Sequence, residues 1–367
     1  MALVYLSIAL FTLVGIVSLA VDFGRWEMCK TQLQRAADAG ARAGAFTLAS
    51  SYNNAPTVAA TVTGENYVDT GKISANSKVT GSVQMLNWTS ASNYTVLSSG
   101  NYSQANAVRV TVSYTVPLTF GSVIGISSKP ATRSATAMLS LKSQTVYVSA
   151  NGNIWLSGEP TGTQASFTST EWEGQNVNPQ HPWQYDIAGP VGEKAADGEP
   201  YESPVQSSIT LVQGALIAVS GVSGSGNIGP GDPYGNALGE VNGVVNTPSD
   251  DWNHATGYEE HGISDVTMPA DAVMAVFLGS SLPDNSAAPA SLDFSTAASR
   301  DYTSLSPLVK QPFYVGTGQT TSGKQQFIVV PNGATRLFVG MMDNMEWSNN
   351  SGGYNATITQ YSVQMVQ

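Results

Sequence analysis

The chain has 367 residues, 11% of them charged, and a formal net charge of −11. The ordinary charged share is about a quarter; Ser, Thr, Asn and Gly stand in for it, which suits an extracellular β-rich protein better than a cytosolic helical one. The acidic balance argues against nucleic acid as a partner. The single cysteine, Cys29, excludes an intrachain disulfide, and three histidines leave little material for histidine-based catalysis.

The length leaves room for two or three domains. The first element, ALVYLSIALFTLVGIVSLAV from Ala2 to Val21, carries no charge. As a helix it spans about 30 Å, enough for a hydrocarbon core. Three readings are open: a signal peptide, a membrane anchor, or a pilin-type helix that leaves the membrane for a filament core. The following residues, DFGRWEMCKTQLQRAADAGARAGAFTLAS, contain no proline and favour helix. Phe23, Trp26, Leu33, Ala37, Ala41 and Ala45 share one helical face. One helix to about residue 50 makes a rod of roughly 70 Å, longer than a bilayer requires. Asp22 and Arg25, three apart, are placed to pair locally or to mark the polar boundary where the helix leaves lipid.

LAVDFGRWEMCKTQLQRAADAGARAGA resembles the N-terminal signature of the TadE/TadG-like proteins of the Tad (Flp) pilus system. The matching elements are Val21, Asp22, Gly24 and Arg25, then Leu33, Gln34, Ala36, Ala37, Asp38 and Ala39. The resemblance implies a pilin-like subunit or an envelope protein of pilus assembly, inserted in the inner membrane before assembly and then held to copies of itself through the helix. Type IV pilins more widely carry Glu at the fifth position; here it is Tyr5. Tyr5, Asp22 and Arg25 are therefore the candidate residues for helix assembly.

Residues 53–142 read as a small antiparallel β module against which the helix end packs. SKVTGSVQMLNW, NAVRVTVSYTVPL and SATAMLSLKSQTVYVSA alternate apolar and polar residues. Val108, Val110, Val112 and Tyr114 share one face. The order of these strands, with NAVRV at Asn106 to Val110, also resembles TadG-like proteins.

From 143 to 367 short strand candidates recur between Gly/Pro/Asp-rich loops, which predicts a β-sandwich. The fold class is thus α+β. Between the last two strands lies MMDNMEWSNNSGGYNATI, dense in side-chain oxygen. Its hard oxygen donors suit Ca²⁺, and it lacks the His or Cys of a zinc-type site; a plain polar hairpin is the alternative. The loop resembles the calcium and sugar loop of the PA-I (galactophilic) lectin family, in a lectin-like domain. That resemblance implies Asp343, Asn349 and Asn350 as side-chain ligands and a loop carbonyl, that of Glu346, as another. The loop is one residue shorter here between the Asp and the Asn pair. In such lectins a sugar diol completes the ion's shell, which makes glycans candidate partners. His261, in the polar stretch SDDWNHATGYEEHGISD, is then a candidate sugar contact, or part of a solvated acidic loop. Trp347 could stack on a sugar face or plug the edge of the sandwich. No G-x-S-x-G, H-E-x-x-H or P-loop pattern is present, so an enzyme is not expected. The expectation is a surface filament subunit displaying an adhesive, calcium-binding domain, with a membrane-anchored calcium-dependent lectin that does not polymerise as the alternative.

Overall fold

One helix, α1 (Ala2–Thr47), carries the chain from its apolar start into the first packed unit, ending three residues earlier than its composition suggested. The structure, a computed structural model, describes residues 2–160, 204–228, 234–241, 244–245, 261–343, 347 and 350–366. Two units form: Met1–Ser140 with Tyr361–Gln367, and Leu141–Gln360. The last residues of the chain thus group with the N-terminal unit.

In the first unit, α1 is followed by α2 (Ala55–Glu65), the short strands β1 (Tyr67–Val68) and β2 (Gly71–Lys72), and then β3 (Val79–Ser90), β4 (Asn93–Leu97), β5 (Ala107–Pro117) and β6 (Ser128–Ser149). β5 lies between β3 and β6, antiparallel to both, and β4 pairs β3. The alternation along β5 is as expected: Val108, Val110, Val112 and Tyr114 are buried. They meet Cys29, Leu33, Ala37, Ala41 and Ala45 of α1 in one apolar cluster. Phe23, expected on that face, is exposed; complete burial of the apolar stripe starts only at Cys29. On the other face of β5 and β6, hydroxyls pair across the strands: Thr111 with Ser134 at 2.8 Å and Ser113 with Thr132 at 2.7 Å. Arg109 continues the same face, its Nε donating to the Thr136 hydroxyl at 3.0 Å, so cross-strand polar pairs line it.

The helix α2 corrects the expectation that residues 53–142 supply only strands to this module. Pro56 sits at its first turn, where the missing N–H costs nothing. Ala55, Ala59 and Thr63 recur at i, i+4 and i+8 and form its buried stripe. The Thr63 hydroxyl donates back to the Ala59 carbonyl at 2.7 Å, so a β-branched polar residue is accommodated inside the packed face. Gly40 and Gly44 of α1 permit the close approach: a Cβ at Gly40 would lie 2.8 Å from the Ala59 carbonyl oxygen, and one at Gly44 would lie 2.9 Å from the Ala59 Cβ.

The second unit contains β7 (Val205–Gln206), β8 (Leu216–Asn227), β9 (Glu240–Val241), β10 (Val244–Val245), β11 (Val266–Thr267), β12 (Val273–Leu278), β13 (Leu292–Asp293), a four-residue helix α3 (Ala297–Arg300), β14 (Ser304–Leu305), β15 (Phe313–Tyr314), β16 (Phe327–Val329), β17 (Arg336–Met341) and β18 (Ser351–Val366). One sheet has the order β15-β12-β17-β7, and β14, β16, β8 and β18 are successive neighbours in another. Both contribute to a single apolar core, with every residue of β12 buried. The strand expected at SITLVQGALIAVSG begins only at Leu216. Before it, side-chain amides take the place of a ladder: Gln144 Oε1 accepts from the Ser208 N–H at 2.7 Å, and the buried Gln360 accepts from the Val212 N–H at 2.9 Å.

Candidate functional site

Two places gather the residues singled out in the sequence. The first is where α1 loses its apolar coat. From Leu3 to Val21 the described side chains are exposed apart from Ser18, which is partly covered. Apart from Ser18, nothing among the described residues packs on the apolar stretch. Ser7 and Ser18 turn their hydroxyls back to the Leu3 and Val14 carbonyls at 2.8 and 2.6 Å, which removes most of the polar cost of placing them in lipid or against another helix. Tyr5 lies in this stretch and is exposed.

Asp22 and Arg25 do not form the local hydrogen-bonded pair that their spacing permits. Each reaches a tertiary partner instead. The Asp22 carboxylate is buried and accepts three backbone N–H groups at the β5–β6 turn: Thr119 at 2.9 Å, Phe120 at 2.8 Å and Gly121 at 2.6 Å. Arg25 makes a two-pronged contact with Asp69, Nε to Oδ1 at 3.1 Å and Nη2 to Oδ2 at 2.6 Å. The Tyr114 hydroxyl donates to the same carboxylate at 3.0 Å, and the Asp69 N–H donates to Gln32 Oε1 at 2.7 Å. The Arg25 hydrogen bonds hold the Asp69 carboxyl below the ordinary aspartate range, against the opposing effect of burial. Asp69 is a residue that sequence reading missed. It sits at φ 56° in the β1–β2 turn, a conformation aspartate tolerates better than most residues; no spacing linked it to Arg25.

The second place is the β17–β18 loop. β17 delivers Met342, whose N–H donates to the Ala272 carbonyl at 2.8 Å, and then Asp343, which is buried. Asn350 re-enters just before β18. Its Nδ2 donates to the Ala150 carbonyl at 3.1 Å, which fixes the amide orientation. Its Oδ1 is buried and has no hydrogen-bond partner among the described residues. Glu346 and Asn349 lie outside the described residues. Asn151, also missed by sequence reading, donates its amide to the Trp347 carbonyl at 2.9 Å and the Asn350 carbonyl at 3.1 Å, binding the loop to the end of β6. Trp347 is fully buried, tilted against Trp155 at 5.6 Å, and its Nε1 donates to the Met341 carbonyl at 3.0 Å. Of its two expected roles it takes the plug; its ring face is not presented to a sugar. His261 occupies a left-handed turn, φ 49°, followed by Gly262 at φ 68°, with Glu159 as an electrostatic neighbour.

No cluster of three or more His, Cys, Asp or Glu suited to a metal occurs among the described residues. The donors at this loop are different in kind: one buried carboxylate, one buried amide oxygen, and neighbouring carbonyls. Such oxygen-only donors fit Ca²⁺. A buried amide oxygen without a partner costs about 1–3 kcal/mol, which an ion at this point would relieve.

Residues 1–49 match the family described as putative Flp pilus-assembly TadE/G-like. Residues 28–137 match the one described as putative Tad-like Flp pilus-assembly. Neither curated proteins nor solved structures gave a match.

Proposed function

For a pilus-associated chain whose N-terminal 137 residues carry Tad/Flp pilus-assembly domains, we propose the role of a pilin-like structural subunit rather than an enzyme. The observation that carries this reading is the bare apolar half of α1, on which almost nothing among the described residues packs. An uncharged, exposed helical stretch of this length suits lipid or a bundle of its own kind. In this reading the helix waits in the inner membrane and then packs against copies of itself, with the β-rich regions displayed outside at the cell surface. Electron microscopy of material sheared from cells tests it. Filaments that react with antibody to residues 204–366 are expected; finding the protein only as membrane monomers sinks the polymerising role and leaves the membrane-anchored alternative.

The displayed region binds Ca²⁺ through Asp343 and Asn350, with Asn349 and the Glu346 carbonyl as further ligands. The support is the buried Asn350 oxygen, which has no hydrogen-bond partner among the described residues, in the same loop as the buried Asp343. The ion would supply a positive charge that holds the loop and can accept the hydroxyls of a glycan, giving an adhesive surface. EGTA is expected to lower the melting temperature of the wild type and to leave an Asp343→Ala variant unchanged. An ion at 100 times its Kd contributes about 2.7 kcal/mol, so the shift is readily measured; no shift in the wild type defeats the calcium reading.

A further inference from the structure

The β5–β6 turn, residues 118–127, is LTFGSVIGIS, a stretch without a charge. It exposes Phe120, Val123, Ile124 and Ile126, with Val123 at 84% and Ile124 at 63%. A soluble hairpin tip normally carries Asn, Asp or Gly and hydrated side chains, so this composition calls for a partner. The turn's place in the fold says which. Asp22, the first residue after the apolar span, binds the backbone of Thr119, Phe120 and Gly121. Ser18, one turn earlier on the same side of the helix, is the one described side chain of the span that is not exposed. The tip therefore sits level with the last turns of the apolar helix.

Two further features agree. The turn satisfies much of its own backbone: Leu118 donates to Ser127 and Ile126 donates to Gly121, both at 2.9 Å, and Val123 and Gly125 donate to Phe120 and Ser122. With the three N–H groups taken by Asp22, few backbone donors need water, which is the condition for entering a low-dielectric region. Beside it stands an interfacial set. Trp26 donates its indole N–H to the Pro130 carbonyl at 3.1 Å, and the ammonium groups of Lys129 and Lys30 lie 3.7 and 4.1 Å from its ring centroid. Tryptophan and lysine are the residues that settle at the headgroup level.

We propose that the β5–β6 tip is a second membrane contact, its Val123, Ile124 and Ile126 side chains inserted into the headgroup–acyl boundary of the bilayer beside α1. The inference rests on the reading that residues 2–21 occupy a bilayer before assembly. It gives the first unit a fixed stance on the membrane, because a helix alone leaves rotation about its own axis unrestrained. A turn that shared its apolar surface with a second copy would instead belong to the filament.

The full chain, reconstituted into phosphatidylcholine/phosphatidylglycerol vesicles, tests this with an environment-sensitive fluorophore on single introduced thiols; the native Cys29 is buried and shielded. Val123→Cys is the test position, Leu10→Cys the membrane control and Ser92→Cys, in the exposed β3–β4 turn, the water control. Shallow doxyl-labelled lipid is expected to quench the Val123 label at least twofold more than the Ser92 label. Quenching at Leu10 but not at Val123 overturns the proposal while leaving the membrane helix standing. Quenching at neither position removes the membrane reading and the proposal with it. Pyrene excimers at Val123 without lipid quenching overturn it in favour of an interface between copies.

Discussion

At the scale of single residues, the clearest arrangement is the Arg25–Asp69–Tyr114 group. A carboxyl held below its unfolded range contributes stability that is present above about pH 4, the unfolded aspartate value, and is lost as pH falls through the folded one. An Asp69→Asn variant is expected to lose about 1–3 kcal/mol at neutral pH, since it removes the charged partner of a partly buried two-pronged contact. The gap between variant and wild type should close as the pH is lowered below 4; chemical denaturation at pH 7 and pH 3 measures it. A constant gap would mean that the carboxylate's charge contributes nothing. Neither this contact nor the Asp22 contact with the β5–β6 turn was legible in the sequence. The i, i+3 spacing singled out Asp22 and Arg25, but their hydrogen-bond partners lie 97 to 99 and 44 residues away. Asn151 was invisible for the same reason: an asparagine two residues after a strand looks like any turn residue until the loop it binds is folded onto it.

At the scale of elements, the contact between α1 and α2 sets a test of packing against propensity. Gly40→Ala adds helix propensity worth about 1 kcal/mol. It also places a methyl group 2.8 Å from the Ala59 carbonyl oxygen. Overpacking of this kind costs about 1–3 kcal/mol, so a net loss of stability is expected. Gly24→Ala, where nothing lies within 4 Å, should gain or hold stability instead. Thermal melts of the two variants decide it; equal effects would mean that the helices have room to separate. α2 itself was hidden because Thr and Val make up five of its eleven residues, a composition that reads as strand when taken alone. Its stripe of Ala55, Ala59 and Thr63 becomes meaningful only against the glycines of α1.

At the scale of the whole molecule, the proposed function divides the chain between the bare apolar half of α1 and the β-rich regions that follow it. Filament assembly and calcium binding are independent claims under this division. Removing Ca²⁺ is expected to soften the β17–β18 loop without dispersing sheared filaments, as seen by negative-stain microscopy with and without EGTA. Filaments that dissolve in EGTA would place the ion in assembly rather than in display.

The sequence by itself determined the long helix, its apolar half, the alternating strands of the first unit and the strand-rich character of the second. These are local patterns, with periods of 3.6 and 2 residues, that survive without knowledge of neighbours. It also singled out the loop of Asp343, Glu346, Asn349 and Asn350 between two strands as a candidate oxygen-donor site. Only the tertiary structure decided that Trp347 is a core plug, that Phe23 stays outside, that Asp22 and Arg25 bind different distant partners, and that the last residues of the chain group with its beginning. Each of these depends on which distant backbone or side chain arrives within hydrogen-bonding or van der Waals reach, and such contacts leave no trace in spacing along the chain.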